Sequence, residues 1–93
     1  MIQSFKCRRT QGLWEEETTR DFPGIGRVAM RKLMQLQAAE QLSDLRVPPG
    51  NNLEALIGKR AGQYSIRINQ QWRICFVWTD AGPAAVEIVD YHK

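Results

Sequence analysis

At 93 residues and 10.7 kDa, 43% hydrophobic and 25% charged, the chain reads as one globular domain, residues 1–93, and excludes a disordered protein. No apolar run approaches the ~20 residues of a membrane span, and the first six residues carry no secretory h-region, so a cytoplasmic protein is expected. Thirteen lysines and arginines against ten acidic residues leave a net charge of +3, which suits a polyanionic partner without requiring one.

In chain order, residues 2–6 read as a short strand, after which Thr10 is placed to cap a brief helix through Leu13 and Trp14. Pro23-Gly24 resets the chain. Ile25, Val28, Ala29, Leu33 and Leu36 then recur at three and four residues, one buried helical stripe. Arg27, Arg31 and Lys32 lie off that stripe and are expected to be solvated and positive. That helix, or a second short one through Gln41 to Leu45, must stop before Val47, because Pro48-Pro49-Gly50 cannot continue it.

From Asn52 onward the pattern is β. Leu53-Glu54-Ala55-Leu56 is a short alternating run. Tyr64, Ile66 and Ile68 alternate with polar residues, as do Trp72, Ile74, Phe76 and Trp78, and residues 84–92 are rich in β-branched side chains. Strands joined by short turns give an antiparallel meander, so the expected fold is α+β in two layers, the sheet packed on two or three N-terminal helices.

Register follows from parity. A three-residue turn over 69–71 sets Tyr64 against Phe76, Ile66 against Ile74 and Arg67 against Arg73, with apolar residues meeting on one face. A four-residue second turn over 80–83 would set Thr79 against Ala84 and Arg73 against Asp90. Arg67, Arg73, Asp90 and His92 would then share the face opposite the large aromatics, whereas a three- or five-residue turn would separate them. Two arginines directly opposite repel unless an anion lies between them. One reading is a solvated sheet face in which Asp90 pairs with Arg73; the other is a phosphate site, since the guanidinium fork matches phosphate oxygens.

Such a site has the parts for cleavage of RNA by its own 2′-hydroxyl. That reaction needs a base, cations on the pentavalent phosphate and an acid for the leaving oxygen. His92, the only imidazole in the chain, can serve as acid or base near neutral pH. Arg67 and Arg73 suit charge stabilisation, and Asp90 can orient the histidine or accept a proton. Tyr91 offers either a base-stacking ring or an aromatic closing the core edge. Glu54 is either a second base or an ordinary exposed strand carboxylate. Lys59, Arg60, Arg27, Arg31 and Lys32 are the further cations expected to meet RNA. One histidine and no Cys-x-x-Cys pair leave a structural zinc site without its ligands, and Cys7 and Cys75 make no disulfide framework. No metal and no cofactor is expected.

Several segments together resemble the HigB toxins of the RelE/ParE superfamily. They are Arg60-Ala61-Gly62-Gln63-Tyr64-Ser65-Ile66-Arg67-Ile68-Asn69, Trp72-Arg73-Ile74-Cys75-Phe76, the terminal Asp90-Tyr91-His92, and Pro48-Pro49-Gly50-Asn51 ahead of Leu53-Glu54-Ala55-Leu56. The resemblance implies a RelE-like fold, mRNA cleavage in the ribosomal A site, a helix-turn-helix antitoxin of the HigA type, and operator DNA bound only through that antitoxin. It also implies that Asp90, Tyr91 and His92 form an active-site triplet and that Arg73 contacts phosphate. Some HigB proteins carry histidine and lysine where this chain has Glu54 and Ile57, which leaves proton transfer there to Glu54 or water. Two rivals are a ParE-like gyrase inhibitor and a non-catalytic RNA-binding module. The Asp90-Tyr91-His92 ending beside paired arginines disfavours the first. The second would display aromatics on an open face, whereas Trp72, Phe76 and Trp78 follow the apolar one.

Overall fold

The protein is described by a computed structural model covering residues 1–91. Its first helix, α1 (Arg8–Glu16), ends where Glu17 turns left-handed at φ 55°. Thr10 does not cap it. The cap position is Cys7, and Thr10 lies fully buried within the helix, its Oγ1 accepting the Ile88 N–H at 3.0 Å. A hydroxyl facing the core is thus spent on joining α1 to the sheet. The second helix, α2 (Gly26–Ala38), buries the predicted stripe, with Ala29, Leu33 and Leu36 at 0% exposure. Two 3₁₀ turns follow, Leu42–Arg46 and Pro49–Asn51, the latter beginning at a proline whose fixed φ suits the first position of a turn.

The sheet runs in the order β1 (Glu54–Ala55), β2 (Tyr64–Arg67), β3 (Trp72–Thr79), β4 (Gly82–Asp90), all antiparallel. Residues 2–6 do not form a strand of their own. They lie along the outer edge of β4 and make a parallel bridge at Phe5–Val86, with Lys6 N–H on Val86 O and Val86 N–H on Ser4 O. Gly82, at φ 132°, is where this segment crosses closest; a side chain there would strike the Met1 backbone.

The two helices cover one sheet face, burying Leu13, Phe22, Leu33 and Leu36 against Ile66, Ile74, Phe76, Val86 and Ile88. Tyr64 stacks on Phe76 and Phe22 meets Trp72 edge-on. This is the expected two-layer α+β arrangement. The other sheet face carries the polar residues and is not covered by α1 or α2.

The first hairpin has the predicted register, with Ile66 opposite Ile74 and Arg67 opposite Arg73. The second does not. Its turn holds only Asp80 and Ala81, with Thr79 paired to Gly82, and the register shifts between Cys75–Glu87 and Val77–Ala84. Strand β4 therefore carries one extra residue, a bulge at Ala85, whose φ is 50°. The reason is burial. With the short turn alone, Val86 and Ile88 would point away from the helices; the extra residue turns both inward, to 0% and 4% exposure. Arg73 consequently faces Val89, and Asp90 faces Trp72.

Candidate functional site

Glu54, Ser65, Arg67, Arg73 and Tyr91 project from the sheet face opposite the helices, close to where the Pro49–Asn51 turn delivers the chain into β1. Glu54, Arg67, Arg73 and Tyr91 line an open cleft of about 380 Å³ together with Asn52, Asn69 and Gln70, while buried Ser65 bonds Arg73 from within the sheet. Arg73 is held by several contacts. Its Nε donates to the buried Ser65 Oγ at 2.8 Å, its Nη2 donates to the Asn52 carbonyl at 2.6 Å, and the same nitrogen lies 3.6 Å from Glu54 Oε1. The side chain is only 12% exposed while Glu54 is half exposed, so the carboxylate offers a partial counter-charge at the cleft mouth. Two hydrogen bonds on one edge of the guanidinium, with the Glu54 ion pair beside them, fix its plane, as a planar fork with five donors allows and an ammonium would not.

Arg67, directly across the strand pair, turns its Nε to the Asn69 carbonyl at 3.1 Å and so bends away from Arg73. Two like charges thus line the cleft, and Glu54 is the one carboxylate lining it among the described residues. Tyr91 lines the cleft beside Arg73. Its backbone N–H donates to Gln71 O at 2.7 Å, and its ring lies under the Arg73 guanidinium at 5.7 Å. Cation and ring support each other, and Tyr91 adds an aromatic group to the cleft lining.

Asp90 is not on this face. The bulge in β4 places it across from Trp72, where Gln71 Nε2 donates to its Oδ2 at 3.0 Å. The expected Arg73–Asp90 pairing is therefore replaced by Arg73–Glu54, and the carboxylate within the cleft is Glu54. His92 lies outside the described residues.

The remaining predicted cations divide by layer. Arg60 is half-buried on the outer sheet face, where Nη1 reaches Glu87 Oε2 at 3.4 Å and Gln63 Oε1 at 3.1 Å, and Lys59 beside it is exposed. Arg27 and Arg31 are exposed on α2, in the helix layer, beside Met30 and Met34 on a separate groove. Lys32 is not a surface cation at all. It is 8% exposed, and its Nζ donates to Asn51 Oδ1 at 2.5 Å. Off the apolar stripe of α2 there is buried loop rather than water, and the loop carries an acceptor.

Asn52, which lines the cleft, and Ser65, which holds Arg73, were missed. For Ser65 the signal was parity, since it alternates with Arg67 on the polar side of Tyr64, Ile66 and Ile68. For Asn52 there was none, because a backbone carbonyl does the work.

Among the described residues no three histidine, cysteine or acidic groups stand together as a metal site, and no helix is long and apolar enough to cross a membrane. Residues 3–92 match the family described as the RelE-like toxin of the type II toxin-antitoxin system HigB. The chain is 41% identical over its whole length to Toxin HigB-1 of Vibrio cholerae, of which it covers 99%. It is also 46% identical over 50 residues to an uncharacterized protein of Haemophilus influenzae, an alignment covering 54% of this chain and 50% of that one.

Proposed function

This chain belongs to the HigB-like family of RelE-like toxins of type II toxin-antitoxin systems, and on that premise we propose that it arrests growth as a ribosome-dependent endoribonuclease, cutting mRNA in the A site by attack of a 2′-hydroxyl on the adjacent phosphate. A toxin of this type has an antitoxin partner; we take that partner to be a HigA-like helix-turn-helix protein that also carries the complex to operator DNA, and the toxin to act alone, as one domain, in the cytoplasm.

The observation that carries the proposal is the Arg73 guanidinium, immobilised by Ser65 and Asn52 above the Tyr91 ring with Glu54 beside it. A cation held before the substrate arrives stabilises the charge that builds on the pentavalent phosphate without reorganising at the moment of reaction. Arg67 supplies the second positive group, and the repulsion between the two is relieved when an anionic phosphate lies between them. Tyr91 stacks the flanking base. Glu54 is the carboxylate placed to take the 2′ proton. His92, assigned by the family's Asp-Tyr-His ending, is the acid for the 5′-oxygen, and Asp90 acts from the neighbouring face to steer that C-terminal residue. No step calls for a metal.

The test is mapping of mRNA 5′ ends after induction, together with His92→Gln, Glu54→Gln and Arg73→Ala variants in single-turnover cleavage with ribosomes in excess. Cuts within translated codons are expected, and loss of an acid–base group should slow cleavage by about 10²- to 10⁴-fold. Intact mRNA with inhibited gyrase, or a His92→Gln variant cleaving at the unmodified rate, would refute the assignment.

A further inference from the structure

We propose that Lys32, on the far helix, is a positioning residue for the cleft: by holding Asn51 it fixes the Asn52 carbonyl that orients the Arg73 guanidinium. The inference rests on reading Arg73 as the phosphate-contacting group, and it names the part of the molecule that sets that group's geometry.

A lysine is seldom buried unless it is paired. Here the partner of Nζ is the amide oxygen of Asn51. Burial pushes the Lys32 ammonium below its ordinary pKa, and nearby Arg31 pushes it further the same way. A leucine or methionine would fill such a position at lower electrostatic cost. What the ammonium contributes is a donor.

Asn51 is fully buried and its amide is committed on every side. Oδ1 accepts from Lys32, while Nδ2 points to Gln35 Oε1 at 3.0 Å, Leu45 O at 3.1 Å and Val47 O at 3.4 Å. This one side chain therefore ties the loop between the two 3₁₀ turns to α2. Asn52 follows immediately in the left-handed conformation, φ 44°, and its carbonyl accepts from Arg73 Nη2. Glu54, two residues on, makes the ion pair. With Asn51 fixed, only the Asn52 torsions separate the anchor from the carbonyl, since successive Cα atoms are about 3.8 Å apart. The route from Lys32 to Arg73 is a chain of direct contacts.

The experiment uses the full chain in two arms. In the free protein, nitrogen-15 NMR of the arginine side chains follows exchange of the Arg73 guanidinium protons. In Lys32→Met, which keeps an unbranched apolar stem, that exchange should quicken by about tenfold or more, the scale of one charge-assisted hydrogen bond. Arg60 protons, bonded on another part of the sheet, should be unchanged. In single-turnover cleavage with saturating ribosomes, Lys32→Met should lose about 10- to 100-fold in rate, the effect of a small misplacement, with ribosome affinity retained. In an Arg73→Ala background the same substitution should cost nothing further.

Unchanged Arg73 exchange in Lys32→Met, or losses that simply add in the double variant, would overturn the proposal. Should Lys32→Met fail to fold, Asn51→Asp keeps an acceptor for Lys32 but turns a carboxylate oxygen toward the Leu45 and Val47 carbonyls; it must loosen Arg73 likewise, and unchanged exchange there overturns the proposal equally. A wild-type protein that cuts no RNA would defeat the nuclease reading, while the NMR arm would still decide whether Lys32 sets the Arg73 geometry.

Discussion

Replacing Arg67 by glutamine should make the protein more stable and less toxic at once. Arg67 and Arg73 are directly paired across β2 and β3, and the Glu54 carboxylate lies 3.6 Å from Arg73 at a half-exposed position. Like charges in this arrangement cost about 0.2–1 kcal/mol. The substitution gives up the Arg67 bond to the Asn69 carbonyl, but that bond is exposed and adds little. A net gain of about 0.2–1 kcal/mol in a chain of this size corresponds to roughly 1–8 °C in Tm. Because the term is electrostatic, it should be largest near 0.01 M salt, where charges act over about 30 Å, and mostly gone at 1 M, where they act over about 3 Å. Thermal unfolding followed by circular dichroism at the two salt concentrations measures this directly. The complementary measurement is RNA binding against salt, whose logarithmic slope should fall by about 0.7 for one lost phosphate contact on a single strand. An Arg67→Gln protein that melts lower than wild type, or whose RNA salt slope is unaltered, would show the face to be merely solvated.

Three further outcomes are expected. Thr10→Val removes the acceptor of the buried Ile88 N–H at nearly constant shape and should destabilise by about 1–3 kcal/mol in urea unfolding, whereas Thr10→Ser should retain most of the stability; equal losses would refute the cross-link. For Cys7, burial pushes the thiol up, but backbone and side-chain hydrogen bonds from Thr10 and Arg9 at the start of α1 outweigh it and lower its pKa, while burial pushes the Cys75 thiol up. Iodoacetamide should therefore modify half-buried Cys7 well before Cys75 in the native protein, and mass spectrometry of the labelled peptides would detect the reverse. The raised Cys75 pKa also means that the unfolded chain gives up this proton first, so its contribution is present below the usual thiol value of 9.0 and declines as pH rises through the folded pKa; this decline should vanish in Cys75→Ala.

The α2 stripe, the apolar face of β2 and β3 and the opposition of Arg67 to Arg73 were all legible in the sequence, because each is dictated by a local period and one turn length. The helix start was less so: Thr10 carries a capping residue's chemistry, yet a hydroxyl one turn into an amphipathic helix can equally face a strand it has not yet met. The second hairpin shows where local reading stops. Four turn residues satisfied the arginine–aspartate pairing, but that register would have left Ile88 on the polar face beside Cys75; burying both Val86 and Ile88 requires a register one residue away, which the two-residue turn reaches through the bulge at Ala85, and that register exchanges Asp90 for Tyr91 in the cleft. Lys32 was misplaced for a related reason. Helical periodicity tells which side chains avoid the core, but not what other part of the chain covers them. Composition and alternation determined that this protein would present a basic, arginine-paired sheet face. Which carboxylate serves it, and which carbonyl holds Arg73 in place, was decided only when the 47–52 loop, α2 and the end of β4 came together, because those contacts join residues between 19 and 21 positions apart whose separation no local period encodes.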